Sequence, residues 1–436
     1  MSGGAAAGAP TPQGLTAQGA YRREWLAWAL LGVGVGLVDG ATVAVLVKKS
    51  FAGLVAPHWV NLAVAVVSGA PALANISSFA WANLAHARSR VRQLVWLQAG
   101  FALVIASIAL SPRGAAGLWL TMASVIGARI VWAGVLTLRA TVWTANYPRH
   151  VMARMTGQMV MAGSIAMAAV ALLTGWVLDA RLFAAQWLYL VAGACGLAAA
   201  WLYQEVRVQR EHQLLAAEAE EGAAGGAFSL RMLREILNAD PSFRRYMFWM
   251  SLYGSGNLIL NGQLVVLFTD RLHLASVTQI LLLTVAPLLL MPLFLPAWAS
   301  LFDRGHIIEY RARQCWALVG AIALLGSGVL SGTLWPLWVG SVLLGISYAG
   351  ANLGWNLGHN DFATLGRVQH YMGVHVTLTG VRGLIAPPLG MLCYQWLQAW
   401  KPGWGVAALL LPLGLVTAGA IGFLRMREQR VRDLNR

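Results

Sequence analysis

Glu205-Val-Arg-Val-Gln-Arg-Glu-His212 opens the one long polar interruption of this chain. A low-complexity run from Ala216 to Gly226 follows. Ser229-Leu-Arg-Met-Leu-Arg-Glu-Ile-Leu-Asn-Ala-Asp-Pro-Ser-Phe-Arg-Arg-Tyr246 closes it. On either side lie apolar runs of about 20 residues, the length that crosses a bilayer. The interruption divides them into two sets of similar size. Its closing piece alternates apolar and basic residues at helical spacing, which predicts a short interfacial helix ended by Asp240-Pro241. The whole stretch, 205–246, reads as a cytoplasmic tether between two membrane bundles, 22–204 and 247–424.

Composition agrees. Hydrophobic residues make up 58% of the 436 and charged residues 11%, which excludes a soluble enzyme. A net charge of +15 suggests a nucleic-acid partner until the cations are located. With the N-terminus inside, 23 of the 31 Lys and Arg fall on loops of that side or, for Arg139, in the adjoining helix end, and 6 on the opposite loops. That asymmetry is the positive-inside signature, so the charge reports topology and the expected surface partner is lipid. The three cysteines lie in apolar runs without motif spacing, so neither a disulfide framework nor a metal site is expected, and no cofactor. Many of the 20 tryptophans sit near proposed span ends, as in interfacial belts.

The residues predict an all-α integral membrane protein with 12 transmembrane helices, at 25–47, 59–86, 93–111, 115–142, 157–178, 183–204, 247–269, 275–301, 314–332, 334–359, 372–396 and 403–424. Residues 1–21 read as a disordered cytoplasmic tail. The basic segment 425–436 is cytoplasmic as well, as an even count requires.

Several polar residues lie inside these runs. Asp39 sits near the middle of span one and Arg129 near the middle of span four, which runs the other way. An ionisable side chain at such depth needs a partner or a wet cavity. Their offset along the membrane normal is about 7 Å, within an arginine's reach, so they are candidates to pair. Asn257 and Asn261 share a face of span seven. Tyr348, Asn352, Asn356 and His359 form one stripe along span ten, and His375, Thr379 and Arg382 one along span eleven. Stripes of this kind line a polar space or hold helices together.

Two loops echo one another: Asn146-Tyr-Pro-Arg-His-Val-Met-Ala-Arg154 and Asn360-Asp-Phe-Ala-Thr-Leu-Gly-Arg367. The turns at His86 and Asp303, and Asp39 with Asn257, stand at a similar offset near 216. One offset relating three places predicts an internal duplication of six spans, hence two pseudo-symmetric six-helix bundles.

Here the chain resembles the major facilitator superfamily. Six plus six spans, a long central loop and short basic turns carry the resemblance. Its most specific motif is Ala299-Ser-Leu-Phe-Asp303-Arg304-Gly305-His306, similar to the superfamily's G-x-L-x-D-R-x-G signature. The corresponding first-half turn departs from it, with His86 and Ala87 where Asp and Arg stand in the family. The resemblance covers about residues 22–428. It implies that spans one, four, seven and ten line a central cavity flanked by span eleven, and that Arg90, Arg154, Asp303, Arg304 and Arg367 belong to gating loops. Asp39 and Arg129 are similar in place to residues of the drug/proton antiporter branches, yet Gly163 to Gly175 in span five lacks the proline of their motif.

No catalytic constellation or ATP-binding loop is present in the sequence, so the expected activity is secondary active transport by alternating access rather than enzymatic. Arg129 and Arg382 against one deep acid favour an anionic or zwitterionic small molecule, with Asp39 or His375 carrying a coupling proton. A proton-antiport exporter is the alternative, and a non-transporting sensor or assembly partner the second. The expected setting is a monomer spanning a bacterial cytoplasmic membrane.

Overall fold

The fold follows from how each apolar run ends and where it bends. A computed structural model describes residues 12–434 apart from 87, 148, 181, 209–210, 212–214, 216–229 and 365–366. Among the described residues twelve helical spans run back and forth. Span one is Tyr21–Leu37 continued at an angle of 45° by Gly40–Phe51, and span two is Pro57–Ser77. Arg90–Leu110, Ala115–Asn146, Arg154–Ala180 and Ala185–Tyr203 complete the first half. Span seven is Pro241–Asp270. Ser276–Phe302, Ile307–Ser331, Leu334–Leu357, Val368–Trp400 and Trp404–Asp433 are spans eight to twelve. By apolar composition alone ten helices, or eleven with the bent pair, are long and greasy enough to cross a bilayer. Span seven, a helix of 30 residues, has enough length but carries Arg244, Arg245, Asn257, Asn261 and Gln263, which lower its hydropathy.

Span one differs from expectation at its start, and span seven begins at Pro241 rather than at 247, directly after the expected short helix. The helix of span one already begins at Pro12 rather than in a disordered tail; a proline at the first helical position loses no hydrogen bond. Between the halves, a helix at Leu230–Ala239 is followed directly by span seven. Asp240-Pro241 ends the first helix and starts the second, for the Asp240 carboxylate accepts the Phe243 N–H at 2.8 Å. Leu233, Ile236 and Leu237 pack against the protein core, so this helix is docked on the second half. The low-complexity run Ala216 to Gly226 lies outside the described residues.

The duplication is visible in hydrogen bonds. Trp81 in the first half donates its indole N–H to the Ile130 carbonyl at 2.8 Å. Trp298 donates to the Ile346 carbonyl, also at 2.8 Å. Trp298 stands 217 positions after Trp81, and Ile346 stands 216 after Ile130. Each indole rests on a glycine of the acceptor helix, Gly134 and Gly350 respectively. The same tie between second and fourth helix is made in both bundles.

The halves meet near the end away from the chain termini. There Lys48 bonds Asp270, and Asp179 at the end of span five accepts the N–H groups of Ser276 and Val277 at 2.7 and 3.0 Å. Two acceptor oxygens on the first turn of span eight make a helix cap supplied by the other half. Spans two and eleven touch along their length: at Gly383 an added Cβ would lie 2.3 Å from the Leu73 nitrogen. At the opposite end Asn352 and Asn356 of span ten are exposed. The ties between the halves thus gather at one end, and exposed polar side chains of span ten lie toward the other, the end bearing both termini, so the interface between the halves reads as a chamber closed at the first end.

Candidate transport site

The chamber is built around the break in span one. Gly40 adopts φ +30°, a conformation that disfavours side-chain-bearing residues, and this ends the first half-helix at Leu37. A broken helix exposes unpaired carbonyls on one side of the break and unpaired N–H groups on the other. Arg129 answers the first set: its Nε donates to the Val38 carbonyl at 2.9 Å, and its Nη2 bonds the Asp39 carboxylate. A cation thus sits at the C-terminal end of one half-helix and an anion at the N-cap of the next, both favourable for the helix dipoles. The Arg129 side chain is 5% exposed and that of Asp39 33%, so the acid faces the chamber.

Span seven brings Asn257 and Asn261 to the same space. The Oδ1 atoms of both are shielded from solvent and have no hydrogen-bond partner among the described residues. Span ten adds Tyr348, whose hydroxyl lies beside Asn261 and within electrostatic reach of Asp39. Spans one, four, seven and ten therefore converge on one point, and the charged pair at that point is internally neutralised. Further along span ten Asn356 donates to the Asn352 side chain at 3.0 Å. Both continue the polar stripe toward the open end.

The span-eleven stripe lies elsewhere. Arg382 donates to the Met250 carbonyl of span seven at 2.5 Å, to Thr379 Oγ1 at 2.5 Å and to the Leu378 carbonyl at 3.2 Å. Met250 and Asn257 are seven residues apart on a helix, so Arg382 sits about 10 Å from the Asp39 level, toward the open end. Its guanidinium lies on Gly254, where a Cβ would meet Nη1 at 2.3 Å. His375 is 2% exposed and packs edge-on to Trp355, with its Nε2 unpartnered. These groups are tucked between helices of the second half.

The gating candidates are scattered over the end with the termini. Arg154 is exposed near the start of span five. The Arg90 side chain reaches the Arg88 carbonyl at 3.2 Å. Asp303 closes span eight, Arg304 is exposed beside it, and His306 caps span nine by accepting the Ile308 N–H at 3.2 Å. Asp361, from the loop that ends at Arg367, accepts the Ile307 N–H at 2.6 Å. The signature turn and the loop after span ten are thereby joined.

Sequence reasoning missed four groups. Lys48 reads as a loop cation but is 5% exposed, bonded at 2.7 Å both to Asn61 and to Asp270. Glu24 is 2% exposed, and its carboxylate accepts hydrogen bonds from Tyr147 and Tyr203. Arg139 lies over the rings of Trp28 and Trp143, at 4.2 and 4.5 Å. Arg311 is fully buried and bonds Gln314 at 2.8 Å. The loop-like Lys48-Lys49 pair hid the first, and the distant partners Tyr147 and Tyr203 hid Glu24.

Among solved structures the arrangement has many counterparts. A mutant of the nucleoside transporter NupG matches 94% of this chain and 99% of its own, at 12% identity and a TM-score of 0.68. A D-xylose-proton symporter matches over 94% and 97%, at 13% identity and 0.68. The human organic anion transporter MFSD10 matches over 93% and 99%, at 16% identity and 0.60. The chain has the major facilitator fold. No family model matches the sequence, nor does any curated protein. At these identities the likeness establishes architecture only.

Proposed function

We propose that this major facilitator-fold chain is a secondary active transporter that moves a small polar solute by alternating access, coupled to protons through Asp39. The observation that carries this is the convergence of Asp39, Arg129, Asn261 and Tyr348 at the break of span one, near mid-membrane. Substrate and ion sites at broken helices between repeats are how such carriers work. Asp39 is the better proton carrier than His375, because it faces the chamber while the imidazole is walled in. The second half would rock against the first about the sealed end.

The two arginines supported an anionic solute in sequence, yet here both are engaged. Arg129 is neutralised by Asp39, and Arg382 is held by backbone and hydroxyl oxygens. What span seven holds instead are amide oxygens on Asn257 and Asn261, shielded from water in this state and without a hydrogen-bond partner among the described residues, which call for donors. A neutral, donor-rich solute such as a polyol, sugar or nucleoside fits these groups better than an organic anion, which becomes the second reading. The proline-free span five still argues against a proton-antiport exporter. In a bacterial cytoplasmic membrane with both termini inside, the captured state would face the cytoplasm. Uptake into proteoliposomes, with and without an inward proton gradient, tests all of this. Gradient-driven accumulation of a neutral polyhydroxylated solute supports the proposal; flux of anions alone, or none, overturns it.

A further inference from the structure

A cavity of about 770 Å³ opens on the outer face of the first half, far from the chamber. The start of span three and the segment that follows span six form its walls. It includes Arg92, Val95, Trp96, Val206, Arg207 and Glu211. Spans three and six are outer helices: Trp96 is 69% exposed and Trp201 64%. The cavity lies where span three begins and span six ends, hence at the boundary between hydrocarbon and water, on the arginine-rich end of the molecule.

Its charges are arranged for a dipolar guest. Arg92 and Arg207 are exposed and, among the described residues, neither is paired with a carboxylate. The neighbouring Glu205 is already taken by Arg23 at 2.5 Å. Glu211 also lines the cavity, and its Oε1 is shielded from solvent with no hydrogen-bond partner among the described residues. A carboxylate oxygen in that state calls for a donor. Two guanidinium groups call for an anion, phosphate above all. Val95 and Trp96 supply an apolar wall on the lipid side.

We propose that this cavity holds the headgroup of a membrane phospholipid carrying both a phosphate and a primary ammonium, as in phosphatidylethanolamine. Arg92 and Arg207 bind the phosphate, Glu211 receives the ammonium, and Trp96 packs on the glycerol and upper acyl chain. The volume suits a small-molecule headgroup. Gln204 to Val208 begin the tether between the halves, so an occupied cavity fastens the root of that tether to span three. Basic pockets between membrane helices are suited to lipid headgroups in general. Glu211 narrows the choice to one with an N–H donor.

Native mass spectrometry of the full-length protein, titrated with phosphatidylethanolamine, phosphatidylcholine and phosphatidylglycerol, tests this. The ethanolamine lipid should be retained about tenfold more tightly than the choline lipid, which has no N–H to give, the worth of one charge-assisted hydrogen bond. Glu211→Gln should erase that preference and leave the glycerol lipid unaffected. Arg92→Gln with Arg207→Gln should weaken all three, and the double lysine variant should restore part of the binding. Monodisperse elution of each variant shows that folding is intact. Equal retention of the three lipids, tighter phosphatidylglycerol with no effect of Glu211→Gln, or thermal protection by soluble phosphoethanolamine equal to that by the lipid would each overturn the assignment.

Discussion

Lys48 of span one and Asp270 of span seven are joined across the two halves, Nζ to Oδ2 at 2.7 Å, with the Asn61 side chain holding the same ammonium from span two. The Lys48 side chain is 6% exposed and that of Asp270 41%, so the pair is half-screened. Losing it should cost about 1–2 kcal/mol, between the worth of an exposed and a buried pair. An energy of that size shifts a two-state equilibrium roughly tenfold.

Asp270→Asn should therefore open the sealed end. Thr42 and Thr284 face each other across the halves at 3.4 Å. A cysteine replacing buried Thr42, in a background without native cysteines, should be unreactive to a polar maleimide added from the sealed side. Adding Asp270→Asn should make it reactive. Unchanged labelling would show that the pair holds nothing shut.

Asp39→Asn keeps the shape of the break but removes its negative charge. Arg129 then keeps the Val38 carbonyl and faces a neutral amide in place of a carboxylate, so the site gains a net positive charge. Proton-driven accumulation should fall to the level of passive equilibration, while solute exchange without a gradient continues. Arg129→Lys should fail in both assays, since one ammonium cannot reach a backbone carbonyl and a carboxylate in the guanidinium's fork geometry. Retained accumulation in Asp39→Asn would move the proton elsewhere, with Glu24 the next acid to test.

Asn261→Leu removes a buried, unpaired acceptor beside Tyr348. If the solute donates a hydrogen bond to it, the apparent affinity should drop about tenfold, the cost of one such bond plus the stranded donor. Asn356→Leu, further out on an exposed stretch, should change it far less. Equal effects of the two would place the binding point nearer the open end.

Much of the architecture was written in apolar length and in one repeat offset, because lipid forces every backbone group into helix and so makes span length readable. Span seven is a partial exception: its chamber face dilutes its hydropathy. The Asp39–Arg129 pair was legible because deep charges are costly and few. Arg382 misled, because a sequence shows that an arginine is deep but not which oxygen it finds, and the Met250 carbonyl is 132 positions away. Lys48 was read as a loop cation beside Lys49, when only its partner Asp270 reveals the burial. Gly383 is likewise explained only by the fold, which presses the backbone of span two against it.

The signature turn carries a pH dependence of its own. His306 lies outside the spans, and burial together with the Arg430 guanidinium lowers its affinity for a proton, with Asp361 and Glu309 opposing in part. Its neutral ring accepts the Ile308 N–H as the cap of span nine; a protonated ring has no lone pair to offer. The folded state thus resists protonation more than the unfolded chain, whose imidazole titrates near about 6.5. As pH falls through that value the unfolded state binds the proton first, so stability is whole above it and is lost below it, toward the lowered folded value. His306→Asn preserves a capping acceptor and does not titrate. Between pH 7.5 and 5.5 the wild-type protein in detergent should lose about 1 kcal/mol more stability than this variant, the worth of one helix cap. Parallel loss in both proteins, followed by thermal unfolding at each pH, would mean that the imidazole is not the group that responds.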